Sequence, residues 1–274
     1  EETLLMANSD FITAQQFEMS NWVTYEKHDY ATFNVFHTWI EYINRLLGAL
    51  AGLGTFVLAL LSLKFLRARP KITLLSFLAL FAMGFQGWLG AIVVYSVLAP
   101  VKITIHMIMA FAIVALLLYL IYLTTTPNAT HKKNKTVRTL VIVALIMTLI
   151  QVILGTQVRE FIDTQIKALG ENSQGKWLTD PALTFYIHRT FSVLVVAINL
   201  YIFYLIRKLS LGYNKIRWVI GLLLVEVVSG IAMNYFDFPF GSQAIHLLMA
   251  AFLFGVQFYL FLEVNSRRNA MISS

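Results

Sequence analysis

The chain has 274 residues, 58% of them hydrophobic and 13% charged, with a formal net charge of +7 and a mean hydropathy of +0.71. A soluble domain carries about 25% charged residues, so an ordinary water-soluble fold is excluded; the positive residues sit in short loops between apolar blocks, which argues against nucleic acid as a partner. The absence of cysteine removes disulfides, thiolate ligands and a cysteine nucleophile from consideration within these residues.

Residues 1–36 are polar and mixed in charge, with Trp22, Tyr25 and Tyr30 approaching the first apolar block, and read as a loop or short helices on a membrane face. Seven apolar stretches follow, at 37–66, 71–96, 101–124, 137–158, 182–206, 215–235 and 242–264. Each is long enough to cross a bilayer, which takes about 20 residues as a helix. The loops alternate in charge. Lys64, Arg67, Arg69 and Lys71 fill one, Lys132, Lys133, Lys135 and Arg138 the next on that side, then Arg207, Lys208, Lys215 and Arg217; Arg267 and Arg268 follow the last span. By the positive-inside rule that side is cytoplasmic. His28 and His131 fall in loops and read as solvated.

The apolar blocks carry an internal echo. Tyr42-Ile43-Asn44-Arg45 returns as Tyr186-Ile187-His188-Arg189, and Gln86-Gly87-Trp88-Leu89-Gly90 returns as Glu226-Val227-Val228-Ser229-Gly230. Glycine is followed 16 residues later by His106 in the first copy and His246 in the second. A fixed internal period marks a duplicated architecture. The expected fold is therefore an all-α polytopic membrane protein of two tandem four-helix-bundle repeats. The first repeat, 37–124, shows three spans; the second, 137–264, shows four; the linker is 125–136 and the cytoplasmic tail 265–274. The comparison predicts that an eighth helix precedes residue 1. Repeats with equal, even numbers of spans run in the same orientation, related by an axis along the membrane normal.

Asn44, His106, His188 and His246 each lie within about two turns of the outer end of their helix. Histidine in an apolar helix is costly unless partnered, which makes each a functional candidate; the alternative is a hydrogen bond to a neighbouring helix or snorkelling to the interface. Two histidines from separate helices at equal depth suit axial ligation of a b-type haem. Zinc is disfavoured, since it takes three or four ligands and no tight cluster supplies them. Arg45 and Arg189 at the outer edge can pair with haem propionates or snorkel. Glu226 stands at the repeat position of Gln86, either as a packed neutral acid or in a proton path.

Together, Glu41-Tyr42-Ile43-Asn44-Arg45, Gln86-Gly87-Trp88-Leu89-Gly90, His106, Tyr186-Ile187-His188-Arg189, Gly230 and His246 resemble the heme A synthase (cytochrome oxidase assembly) family, from about residue 36 onward. The resemblance implies an oxidoreductase of eight helices in two halves that converts the methyl group of heme O to the formyl group of heme A, using O2 and external electrons. It implies haem b on His188 and His246, and substrate haem against His106. Where the family reads Glu-x-x-His, this chain reads Glu41-x-x-Asn44, and asparagine is a poor iron ligand. Either His106 ligates alone, or His37 substitutes, being about 20° off the Asn44 face and some 10 Å nearer the outer surface. The family places an essential glutamate where Glu41 stands, three residues from Asn44 on one helical face. A carboxylate there can move protons or steady positive charge; the plainer role is an ion pair with Arg45. The implied partners are the bilayer, a heme O synthase and an electron donor, with a homo-oligomer left open. The implied location is a bacterial plasma membrane or organelle inner membrane, haem sites near the outer face. Two other functions fit the same residues: a b-haem electron carrier, and a haem-binding assembly chaperone without oxygen chemistry.

Overall fold

A computed structural model describes residues 5–7, 22–24, 35–95, 100–125, 131–170 and 173–266. His28, the Arg267–Arg268 pair and most of 1–36 lie outside the described residues, as does the side chain of His37. Seven helices among the described residues are long and apolar enough to cross a membrane. They are α1 (Val35–Ser62), α2 (Pro70–Tyr95), α3 (Pro100–Thr124), α4 (Lys135–Leu169), α5 (Leu183–Lys208), α6 (Ile216–Tyr235) and α7 (Ser242–Val264). Only 11–28% of the most apolar window of each span is buried inside the protein. The remaining apolar surface requires lipid, because a helix apolar all round is stable only in a core or a bilayer. The chain is an all-α polytopic membrane protein in contact with lipid along most of its surface.

Two compact units divide at Gly54 and Thr55. In the first, Leu5–Ala7 (β1) pairs antiparallel with Trp22–Thr24 (β2), a short ribbon in the segment expected to be loop or short helix. The first unit also holds the opening turns of α1, where Glu41 and Arg45 form an i,i+4 ion pair, both side chains more than half exposed.

In the second unit, α2 and α3 form a hairpin, and α3 lies against α4 and α7. Helices α4, α5, α6 and α7 close a ring in which each touches the next and α7 returns to α4. Helices α5 and α7 thus stand on one diagonal of a four-helix bundle. The hairpin meets this bundle through Phe111 stacked on Phe254 at 4.8 Å and through the Thr104 and Thr156 hydroxyls at 2.8 Å.

The bundle is packed unevenly along its length. Its buried cluster runs from Val137 to Ala144 on α4, Val195 to Ile206 on α5, Ile216 to Leu223 on α6 and Leu253 to Val264 on α7. These stretches occupy the end at which α4 and α6 begin. The other end, where α5 and α7 begin, contributes nothing to that cluster, and it is there that His188 and His246 stand. Within the packed end, Gln257 of α7 donates from Nε2 to Asn199 Oδ1 of α5 at 3.0 Å, across the diagonal, with both residues 1–2% exposed. Asn199 and Gln257 each lie 11 residues beyond a histidine of their own helix, about three turns deeper and close to the same face. Asn199→Ala would strand the Gln257 amide in an apolar interior, at about 1–3 kcal/mol. A lowered melting temperature of the detergent-solubilised protein would register it.

Helix α4 departs from the expected 137–158. It continues past the apolar block to Leu169 and stops at Gly170, whose φ of +85° lies in the left-handed region. Hydropathy marks the membrane-crossing part of a helix, whereas i,i+4 pairs such as Arg159–Asp163 (3.6 Å) let it extend into polar surroundings. The connection to α5 folds back, with Trp177 buried against Phe238 of the α6–α7 turn and its Nε1 donating to the Gly170 carbonyl at 3.3 Å. At the opposite end Lys215 pairs with Glu263 at 2.7 Å. His131, expected to be solvated, instead packs on Tyr213 with ring centroids 4.5 Å apart. A backbone bond from Lys132 N to Leu211 O at 3.1 Å holds the two loops together.

Candidate functional site

The site is built from one arrangement used three times, once in each hairpin of the second unit. A histidine in the first two turns of one helix faces a glycine in the neighbouring helix. A glutamine or glutamate one turn before that glycine reaches the same histidine. The three sets are Gln86, Gly90 and His106 on α2 and α3; Gln151, Gly155 and His188 on α4 and α5; and Glu226, Gly230 and His246 on α6 and α7.

The glycines are there because the imidazoles take the room of a side chain. A Cβ added at Gly155 would lie 3.2 Å from His188 Cε1, at Gly90 3.3 Å from His106 Cε1, and at Gly230 3.8 Å from His246 Cε1. The first two are tighter than ordinary contact, and the third is not.

The polar partners decide the tautomer of each ring. Gln86 Nε2 donates to the His106 carbonyl at 3.1 Å and lies 3.3 Å from His106 Nε2. Gln151 repeats this on His188 at 3.1 and 3.4 Å. A carbonyl only accepts, so the amide atom facing it is the nitrogen, whose second N–H points at ring Nε2. Nε2 therefore carries the lone pair and Nδ1 the proton. Among the described residues, the buried Nδ1 of His106 and of His188 has no hydrogen-bond partner.

The third set differs. His246 Nδ1 lies 2.8 Å from Ser229 Oγ and 3.2 Å from Glu226 Oε2. The Ser229 hydroxyl proton goes to the Glu226 backbone carbonyl at 3.0 Å, so Ser229 Oγ faces His246 as an acceptor. His246 Nδ1 is the donor, and its Nε2 is left bare. The Nε2 lone pair is thus engaged by a glutamine amide in His106 and His188, and is bare in His246. Among the described residues no group of three or more His, Cys, Asp or Glu side chains could hold a metal ion.

The residues of the second unit suit a haem on chemical grounds. His188 and His246 come from diagonal helices and are only partly buried. They lie at the bundle end away from the large buried cluster, with a glycine of the neighbouring helix beside each ring. Arg189 is exposed one residue beyond His188. Glu41, Asn44 and Arg45 belong to the first unit, where all three are exposed and Glu41 is held by Arg45. Sequence reasoning missed Gln151, Gly155 and the part played by Ser229. The signal was present: Gln151-Val152-Ile153-Leu154-Gly155 is a third copy of the Gln86–Gly90 phrase. It is hidden because its histidine follows Gly155 by 33 residues rather than 16, the long α4–α5 connection intervening.

The family described as cytochrome oxidase assembly protein matches residues 3–258. A curated relative named Heme A synthase, from Flavobacterium johnsoniae, is 25% identical over 249 residues, covering 80% of this chain and 72% of the relative. No solved structure matches at the same significance. With the match extending over nearly the whole sequence, the chain belongs to the heme A synthase (cytochrome oxidase assembly) family.

Proposed function

We propose that this protein is a heme A synthase that oxidises the methyl group of heme O to a formyl group with O2 and electrons from an outside donor. The observation that carries the reading is the pair of histidines on diagonal helices, His188 and His246, each with a glycine of the neighbouring helix beside its ring. Residues 137–264 act as the haem b half, with His188 and His246 as its axial ligands and Arg189 as a partner for a propionate. A haem held there supplies one-electron redox chemistry. The chain's own part is to hold His246 through Nδ1 with Nε2 bare, and to yield His188 Nε2 from Gln151 when the haem binds.

Residues 37–124 act as the substrate half. His106, positioned by Gln86 as His188 is by Gln151, takes heme O on its imidazole once the glutamine amide yields the ring nitrogen. Glu41 handles protons at the reacting methyl, with Arg45 holding its carboxylate. Asn44 stands where the family has histidine and leaves one face of the substrate haem without a protein ligand. The sites face the outer side of the membrane, and a heme O synthase delivers the substrate.

The test is haem extraction and chromatography from cells making the protein together with a heme O synthase. Heme A is expected with the unaltered protein, and a loss of about 10²–10⁴-fold with Glu41→Ala, the contribution of a positioned acid–base group. Bound haem b with heme O left unconverted, given O2 and reductant, would instead indicate an electron carrier or a haem chaperone.

A further inference from the structure

The three hairpins use the same glycine and histidine but differ in what stands one turn before the glycine. In two it is glutamine, and the histidine Nδ1 is unpartnered among the described residues. In the third it is Glu226, and the contact moves to the other ring nitrogen, His246 Nδ1, which also meets Ser229. The Glu226 side chain is 14% exposed and that of His246 25%. Its Oε1 has no partner among the described residues, so Oε2 is the oxygen committed to the ring.

We propose that Glu226 and Ser229 are positioning residues for His246, holding its Nδ1–H so that Nε2 faces the haem and His246 is the stronger electron donor of the two axial ligands. The inference rests on the reading of His188 and His246 as haem b ligands. Hydrogen-bond acceptors behind a metal-bound histidine fix its tautomer and raise its basicity. A more basic ligand favours the ferric state and lowers the reduction potential. The two ligands are therefore unequal: His188 Nε2 is engaged by Gln151, which haem binding displaces, while His246 is held from behind at Nδ1 with Nε2 bare. The ring on α7 sets the electron density at the iron, and the ring on α5 completes the coordination.

The experiment uses purified full chain loaded with haem b and compares Glu226→Leu, Glu226→Gln, Ser229→Ala and, as the matching position in the other hairpin, Gln151→Leu. Haem retention is read by transfer to excess apomyoglobin, and the midpoint by potentiometric titration of the optical spectrum. Glu226→Leu is expected to weaken retention by about 10–100-fold and to shift the reduction equilibrium toward the ferrous form by roughly tenfold, about 59 mV for a one-electron couple. Glu226→Gln, which keeps a carbonyl acceptor at the same distance, restores retention. Ser229→Ala shifts the midpoint in the same direction by less, and Gln151→Leu, which touches His188 and not the Nδ1 of His246, shifts it by less than Glu226→Leu.

An unchanged midpoint in both Glu226→Leu and Ser229→Ala, with haem still bound, overturns the proposal and leaves the haem b reading intact. Equal midpoint shifts in Glu226→Leu and Gln151→Leu also overturn it, since packing alone would then account for both. If Glu226→Leu does not accumulate, Ser229→Ala decides by its midpoint. Wild-type protein that takes up no low-spin haem fails at the earlier step, the haem b reading, before any variant is compared.

Discussion

His188→Ala and His246→Ala are each expected to abolish the low-spin haem spectrum of the purified protein, while His106→Ala leaves it in place. Changes behind a metal-bound histidine cost about 10–100-fold in affinity, so removing the ligand itself should cost more. The two variants should nonetheless differ in the stability of the haem-free protein. Gln151 keeps its bond to the residue 188 carbonyl (3.1 Å) when the imidazole is gone, so His188→Ala strands little. His246→Ala removes the partner of both Ser229 Oγ and Glu226 Oε2, and an unsatisfied buried polar group costs about 1–3 kcal/mol, more if charged. His246→Ala should therefore melt at the lower temperature without haem, although both lose the spectrum. Retention of low-spin haem by either variant would remove that histidine from the ligand set.

Gly155→Ala is expected to impair haem binding strongly, whereas Gly230→Ala is tolerated. A methyl at Gly155 would sit 3.2 Å from His188 Cε1, so the ring must give by a few tenths of an ångström; at Gly230 the corresponding 3.8 Å is ordinary contact. Alanine gains roughly 0.5–1 kcal/mol over glycine in a helix interior, so neither change should unfold its helix. The expected result is a Gly155→Ala protein that keeps its helical circular dichroism and accumulates normally but retains haem at least about tenfold less well. That figure is set by the 10–100-fold attached to misoriented ligands. Gly90→Ala, at 3.3 Å from His106, should spare this haem and lower heme O conversion. Equal retention by Gly155→Ala and Gly230→Ala would show that the close approach does not position His188.

Much of this was legible before any coordinates. Apolar length located five of the seven helices to within a residue or two and α1 to within four, because in lipid a backbone must satisfy its own hydrogen bonds and a helix is the local solution. The α4 helix was underestimated by 11 residues at its C-terminal end, since the hydropathy signal stops where the bilayer does and the helix does not. His106, His188 and His246 stood out because an imidazole in an apolar helix needs a reason to be there. Glycine-to-histidine spacing exposed two of the three repeated sets, where a tight turn joins the helices. The set on α4 and α5 was hidden by the loop between them.

The sequence by itself determined the membrane class, the helix positions and the three candidate imidazoles, because these depend on local composition and on distance along one helix. Only the tertiary structure decided which atom of each imidazole is free. That choice depends on contacts between helices: Gln151 against His188, but Glu226 and Ser229 against His246. The same holds for the tie between Asn199 and Gln257 within the buried cluster, at the end away from the histidines. Side chains 58 residues apart in the chain meet there, and a pattern read along the chain carries no information about which faces of α5 and α7 turn toward each other.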